Sequence, residues 1–350
     1  MNAYLINLFI ICLIGIISLT IKNKNIRRKF FLYGAFIDLF LFLSLRALTV
    51  GIDMPIYLQI YDDCNLYGWN VIYNLRYEVG FITYTKLIAN IINSEQIYVC
   101  ITAFLALIGP FYIIKKYSKN YFLSVFLFIT FQFFTYDFYL LRQVIAISIV
   151  LLSIKFVEER KLFKFIFMVL LATIFHTTAC LFLIVYWIYK IRVNNRKLLW
   201  LTGIAIAIMI LGNTVINMVF QYFYKYAYYS QLTNEGGGYF YLFVLICIFV
   251  FTTLIRDVYF NSEKTNSLWY NILIFAILVQ LFATIQSIFN RVTIYYSISI
   301  IIVLPNVIRC LRKSNLRLIV SILIYIFLTF YYVIETQNSI IYMDYSFFWQ

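Results

Sequence analysis

Apolar residues fill the chain in long runs, at roughly 3–21, 30–48, 97–114, 120–136, 138–157, 161–175, 177–190, 198–216, 239–256, 268–288, 292–309 and 317–334. A helix needs about 20 apolar residues to cross the hydrocarbon core of a bilayer, so the pattern predicts an all-α, polytopic integral membrane protein with about 12 transmembrane helices. The short stretches between the runs alternate in charge. KNKNIRRK (22–29), KKYSK (115–119), KFVEERKLFK (155–164), KIRVNNRK (190–197), RDVYFNSEK (256–264) and RCLRKSNLR (309–317) hold 22 of the 28 Lys and Arg residues. Basic loops stay on the cytoplasmic side. That set is therefore expected inside, both termini outside, and no run has to be inverted to keep the rule.

Two outer segments exceed a simple turn within what reads as one transmembrane domain over 1–350. Residues 49–96 carry Asp53, Asp62, Asp63, Arg76, Glu78, Lys86 and Glu95. Inside them, VGFITYTKLIANII (79–92) is apolar but short and holds a lysine. A crossing there would move every later loop to the wrong side, so it is expected to lie on the surface as an amphipathic segment or to re-enter partway. Residues 217–238, NMVFQYFYKYAYYSQLTNEGGG, form an aromatic outer loop. Residues 3–21 are reminiscent of a secretion signal, but no small-residue cleavage site follows, so they read as a retained first helix.

Composition narrows the class. The chain is 64% hydrophobic and 12% charged, with mean hydropathy +0.89, against about 45–50% and about 25% in soluble domains. A globule with a single anchor is excluded. The net charge of +14 reflects orientation in the bilayer rather than nucleic-acid binding, because the basic residues sit in short loops. The six cysteines are scattered with no Cys-x-x-Cys, which argues against a disulfide framework or a zinc site. With one histidine in the chain no histidine metal cluster can form, and no metal or cofactor is expected.

Six basic residues break the inside bias: Arg46, Arg76, Lys86, Arg142, Lys225 and Arg291. Three lie within or at the edge of apolar runs: Arg46 in FLSLRALTV, Arg142 in YDFYLLRQVIAIS and Arg291 in QSIFNRVTIYYS. A charge in hydrocarbon costs a few kcal/mol even on lenient scales, so each needs a partner or a task. One reading is an internal ion pair or snorkelling to headgroups. The other is convergence on one anion, since the planar guanidinium fork matches phosphate oxygens; at an outer leaflet that anion is a lipid diphosphate. Asp53, Asp137 and Glu78 divide the same way, between pairing with the nearest arginine and acting as a base on a sugar hydroxyl. His176 falls at a turn in ATIFHTTACLF, either bonded to backbone or placed to exchange a proton near neutral pH. Tyr222, Tyr224, Tyr226, Tyr228, Tyr229 and Tyr239 suit an interfacial aromatic belt or stacking on sugar rings.

The order of these features resembles the EpsG family of surface-polysaccharide polymerases, related to Wzy O-antigen polymerases. The resemblance rests on Arg46 with the following VGID turn and Tyr57, YEVGF (77–81), DFYLLRQVIAIS (137–148), FHTTACL (175–181) and NRVTIYYSISIIIVLP (290–305). Ile52 stands where the family usually has Thr, and Val79 replaces the Pro of its Glu-Pro-Gly. The resemblance implies a GT-C/Wzy-like helical bundle in the plasma membrane. It implies a glycosyltransferase that moves the growing glycan from undecaprenyl diphosphate to an incoming lipid-linked repeat unit at the outer leaflet, by inverting, metal-independent transfer. In that scheme Arg142, Arg291 and Arg46 bind the diphosphate. His176, Asp53 and Asp137 are the candidate bases, and Tyr57, Glu78 and Tyr228 contact sugar. The partners are undecaprenyl diphosphate-linked oligosaccharides, membrane lipid and, as a further candidate, a chain-length regulator. A lipid-linked oligosaccharide flippase and a membrane-bound acyltransferase are the competing classes.

Overall fold

The computed structural model describes residues 2–73, 77–222, 236–338, 341–342 and 344–350. Among them the backbone is helical almost throughout, and the one β-type pairing is an isolated antiparallel bridge between Arg46 and Phe347. The chain divides into two compact units, Met1–Leu183 with Leu311–Gln350, and Ile184–Cys310.

In the first unit the helices are α1 (Ala3–Leu19), α2 (Lys24–Ser44), α3 (Met54–Leu66), α4 (Trp69–Ile72), α5 (Val79–Ile92), α6 (Glu95–Tyr117), α7 (Tyr121–Thr130), α8 (Phe133–Tyr136), α9 (Leu141–Glu158) and α10 (Leu162–Thr173), with a 3₁₀ helix at Thr177–Ile184. The second unit holds α11 (Val185–Ile188), α12 (Asn195–Tyr222), α13 (Tyr239–Leu254), α14 (Arg256–Ser262), α15 (Asn266–Ala283), α16 (Phe289–Ser297) and α17 (Ile300–Arg309). Helix α18 (Ser314–Asn338) returns to the first unit. Local sequence sets many of the starts. Asn2, Asn23, Ser94 and Asn120 accept backbone N–H bonds at the N-termini of α1, α2, α6 and α7, as polar caps do.

Five described helical stretches are long and apolar enough to cross a membrane: Glu95–Tyr117, Asn195–Met218, Asn266–Ala283, Phe289–Arg309 and Ser314–Asn338. The pair α13 and α14, bent by 80°, makes a sixth if read as one broken span. This is fewer than the dozen apolar runs led one to expect, and the reason is local. The runs at 120–136 and 161–190 are broken into short helices by turns and by the 3₁₀ segment. Helices α2 and α9 carry too many charges near their ends to pass on composition alone. The apolar windows of α12 and α18 are only 11% buried, a surface suited to hydrocarbon rather than water.

Residues 49–73 and 77–96 form helices that pack on one another. Helices α3 and α5 pack together around Tyr57, Ile60, Tyr61, Cys64, Phe81 and Ile82. Helix α5 has an inverted character: Thr85 and Lys86 are buried while Val79, Leu87 and Ile91 are exposed. Lys86 Nζ donates to the carbonyls of Cys64 (2.6 Å) and Tyr67 (2.8 Å), so it closes the C-terminal end of α3, where carbonyls lack helical partners and a cation opposes the dipole favourably. The lysine noted within 79–92 is the group that seals its neighbour.

Candidate functional site

Three of the sequence motifs meet at one point of the first unit. Glu78 occupies the N-cap position of α5, and its backbone is extended there. Two residues on, Gly80 donates its N–H to the Ile174 carbonyl at 2.9 Å. A Cβ on Gly80 would stand 2.8 Å from that same oxygen, so only glycine lets α5 begin against the end of α10. The contact brings Glu78 onto the turn that carries His176 and Thr177.

The Glu78 carboxylate is shared. Oε2 accepts from Arg142 Nη1. Oε1 accepts from the Thr177 hydroxyl at 3.2 Å and from the Thr177 N–H at 3.4 Å, and lies 3.4 Å from His176 Nδ1. The acid therefore caps the 3₁₀ helix, where negative charge is favoured. Burial acts to raise the Glu78 carboxyl, but the His176 contact and the Arg142 charge outweigh it and hold the group well below the usual carboxylate range. Glu78 is an anion at neutral pH.

Arg142 sits in the first turn of α9, where a cation opposes the helix dipole at a cost of about 0.3–1 kcal/mol. Glu78 offsets that cost. The guanidinium lies over the Tyr77 ring, 5.1 Å from its centroid, and within hydrogen-bonding reach of Tyr57. Its Nε is buried without a partner, although the side chain as a whole is 22% exposed. A charged donor is thus held in place with capacity left over. Asp53, half-exposed at the start of α3, acts electrostatically on Tyr57 from one turn away.

Arg46 belongs to a separate centre. It is 1% exposed, with Nη2 3.4 Å from Met54 Sδ and the guanidinium 4.9 Å from the Phe138 ring centroid. Tyr4, Asp137 and Tyr345 surround it electrostatically. Burial lowers its pKa to about 10, still a cation at neutral pH. Burial pushes the Asp137 carboxyl well above the usual carboxylate range, with the Arg46 charge pulling the other way. Arg46 Nε and Nη1 and Asp137 Oδ2 are buried without hydrogen-bond partners. The C-terminal segment closes this centre. Ala47 N–H donates to the Ser346 carbonyl and Phe348 N–H to the Leu45 carbonyl, while the Tyr345 hydroxyl donates to the Phe42 carbonyl at 2.9 Å. Gly51, at φ 128°, passes so close that a Cβ would meet the Phe138 carbonyl oxygen at 2.3 Å. That contact explains the glycine of the VGID turn.

The sequence-predicted residues thus divide. Arg142, Glu78, His176 and Tyr57 come together, with Asp53 near them. Arg46 and Asp137 form their own sealed pair. Arg291 lies in α16 of the second unit, exposed and engaged in an interaction there. Tyr228, Arg76 and Lys225 fall outside the described residues. Sequence reasoning missed Gly80, Thr177 and Tyr77 as parts of the site. All three lie inside the quoted motifs YEVGF and FHTTACL, so the signal was adjacency to Glu78 and His176. Among the described residues no three His, Cys, Asp or Glu side chains gather as metal ligands would.

Such a chain, all-helical, with several membrane-length apolar helices and a shared carboxylate between an arginine and the only histidine, is a multi-pass membrane protein with a polar centre built at helix ends. It belongs to the EpsG family, whose model matches residues 29–347. That membership is consistent with a glycosyltransferase-type polysaccharide polymerase. No curated protein and no solved structure matches the chain.

Proposed function

We propose that this protein extends a surface polysaccharide by moving the growing glycan from a polyprenyl diphosphate, of the undecaprenyl type, to a lipid-linked repeat unit at the outer leaflet. The observation that carries the reading is the meeting of Arg142, Glu78 and His176 at helix termini in an EpsG-family chain. In this scheme the acceptor hydroxyl gives its proton to His176 Nε2 and its oxygen bonds to the anomeric carbon. The carbon–oxygen bond to the diphosphate breaks, and the electron pair leaves with it. A single displacement of this kind inverts the anomeric centre. Arg142, 22% exposed and held by Glu78, stabilises charge growing on the leaving group; preorganised donors in a water-poor site are usually the largest contribution to catalysis. Tyr57 and Asp53 border the sugar.

Arg46 has a different task in this reading: buried with Asp137 under the C-terminal segment, it holds the start of α3 in place. Helices α1, α2 and α9, with 17, 21 and 18 residues, reach about 25–32 Å at 1.5 Å per residue and supply further crossings. The short pairs over 121–136 and 162–188 bring the topology toward the dozen expected. Charges at helix ends favour surface chemistry over transport, which places ionisable groups near the midplane on broken helices.

The test uses purified, reconstituted protein and a synthetic undecaprenyl diphosphate-linked repeat unit. Chain growth with release of undecaprenyl diphosphate is expected. Movement of the intact lipid-linked unit between leaflets, without polymer, would replace this reading with a flippase.

A further inference from the structure

The Glu78 carboxylate touches both partners of the proposed reaction, one oxygen to each, and its side chain is only 9% exposed. We infer that Glu78 is a positioning residue rather than a sugar contact: it fixes the tautomer of His176 and the aim of Arg142 together. The inference rests on the polymerase reading and deepens it.

The geometry dictates the tautomer. Nδ1 is the enclosed ring nitrogen, and the carboxylate oxygen Glu78 Oε1 lies 3.4 Å from it. A carboxylate only accepts, so the neutral ring carries its proton on Nδ1 and presents the lone pair of Nε2. That lone pair is what a general base needs. When the base takes up the acceptor proton, the new imidazolium lies beside a carboxylate already ionised at neutral pH, so the positive charge forms in a favourable field. The logic is that of a carboxylate orienting a catalytic histidine, reached here through a residue that also holds the arginine.

Glu78→Gln separates the possibilities. Arg142 has no other carboxylate on the described residues, so it takes the single amide oxygen. The amide NH2 then turns toward His176 and Thr177, where it faces Nδ1 as a donor and drives the ring proton to Nε2. His176 is the only histidine, so protein labelled with 15N-histidine and purified through a tag without histidine gives one imidazole to observe. The wild type is expected to show the Nδ1–H form in slightly alkaline buffer, Glu78→Gln the Nε2–H form, and Glu78→Asp, which keeps the charge, the wild-type form.

With the lipid-linked repeat unit, Glu78→Gln is expected to lower kcat about 100-fold or more with KM within about threefold, and Glu78→Asp to recover much of kcat. An Nε2–H tautomer in the wild type, or the same tautomer in wild type and Glu78→Gln, overturns the inference. So does a rise in KM with kcat unchanged, which marks a sugar contact. If Glu78→Gln does not fold, the wild-type and Glu78→Asp tautomers still decide. The tautomer is read without substrate, so a polymerase reading that fails, with Arg142→Ala and His176→Ala both fully active, is told apart from a Glu78 inference that fails.

Discussion

Two arginines in the first unit illustrate how burial and pairing divide labour. Arg46 and Arg142 each stand beside an acid, each meet an aromatic face, and each touch the start of α3, through Met54 and Tyr57 respectively. Arg46 is sealed. Its acid is pushed toward neutrality, polar atoms on both sides lack partners, and the C-terminal segment lies over it. Arg142 is partly open, and its acid is held ionised and divided between arginine, histidine and threonine. A sealed cation can fix a turn but cannot reach a ligand. A partly open one can. The difference lies in what covers each residue, not in residue type.

Substitutions that sharpen the contrast fall in order of effect. Arg142→Ala is expected to abolish chain growth, by about 100- to 1,000-fold or more, as for loss of one charge-stabilising donor, with membrane insertion retained; the length distribution of cell-surface polymer checks it. His176→Ala is expected to lower single-turnover transfer by about 100- to 10,000-fold, the range for a general base. Arg46→Ala acts through stability instead, because it removes a 1%-exposed side chain that packs on Phe138 and Met54 and leaves a void; the loss is expected to be about 1–3 kcal/mol. Thermal unfolding in detergent should show that loss, and Arg46→Met, which refills the volume, should recover part of it. Lys86→Met removes two charge-assisted bonds from the end of α3 and is expected to cost about 1.5–3 kcal/mol, read in the same assay.

The smallest effect is a pH dependence. Glu78 is held below the usual carboxylate range in the folded protein, so its stabilising contribution is fully present above the ordinary glutamate pKa of about 4.3 and is lost as pH falls from there toward the folded value. The unfolding temperature of the wild type should fall more steeply than that of Glu78→Gln below about pH 4.3. Equal slopes would mean that the acid is not held ionised by its partners.

The membrane class was legible because long apolar runs have no other solvent, and the residues of the open centre were legible because charges inside such runs are expensive. Arg142 stood out for that reason before its contacts were visible, Glu78 as an acid beside the VGF stretch and His176 as the single histidine. What separated Arg46 from them was not legible. The pairing of residues 45–47 with 346–348 joins the two ends of the chain, and no local pattern announces it. The role of Lys86 was not legible for a related reason: its acceptors are carbonyls at the end of α3, about twenty positions away, which composition does not reveal. Five or six described stretches pass as spans against about twelve apolar runs, because a run of apolar residues does not say where the helix breaks. Turns beside Phe131 and His176 interrupt two such runs.

The central claim is that Arg142, with Glu78 and His176, is the reactive centre and Arg46 is not. The direct measurement is polymerisation of a synthetic undecaprenyl diphosphate-linked repeat unit by reconstituted Arg142→Ala and Arg46→Met proteins, each matched to wild type for folded protein. The account predicts no chain growth from the first and polymer of normal length from the second. Normal polymer from Arg142→Ala, or its loss from folded Arg46→Met alone, would contradict it.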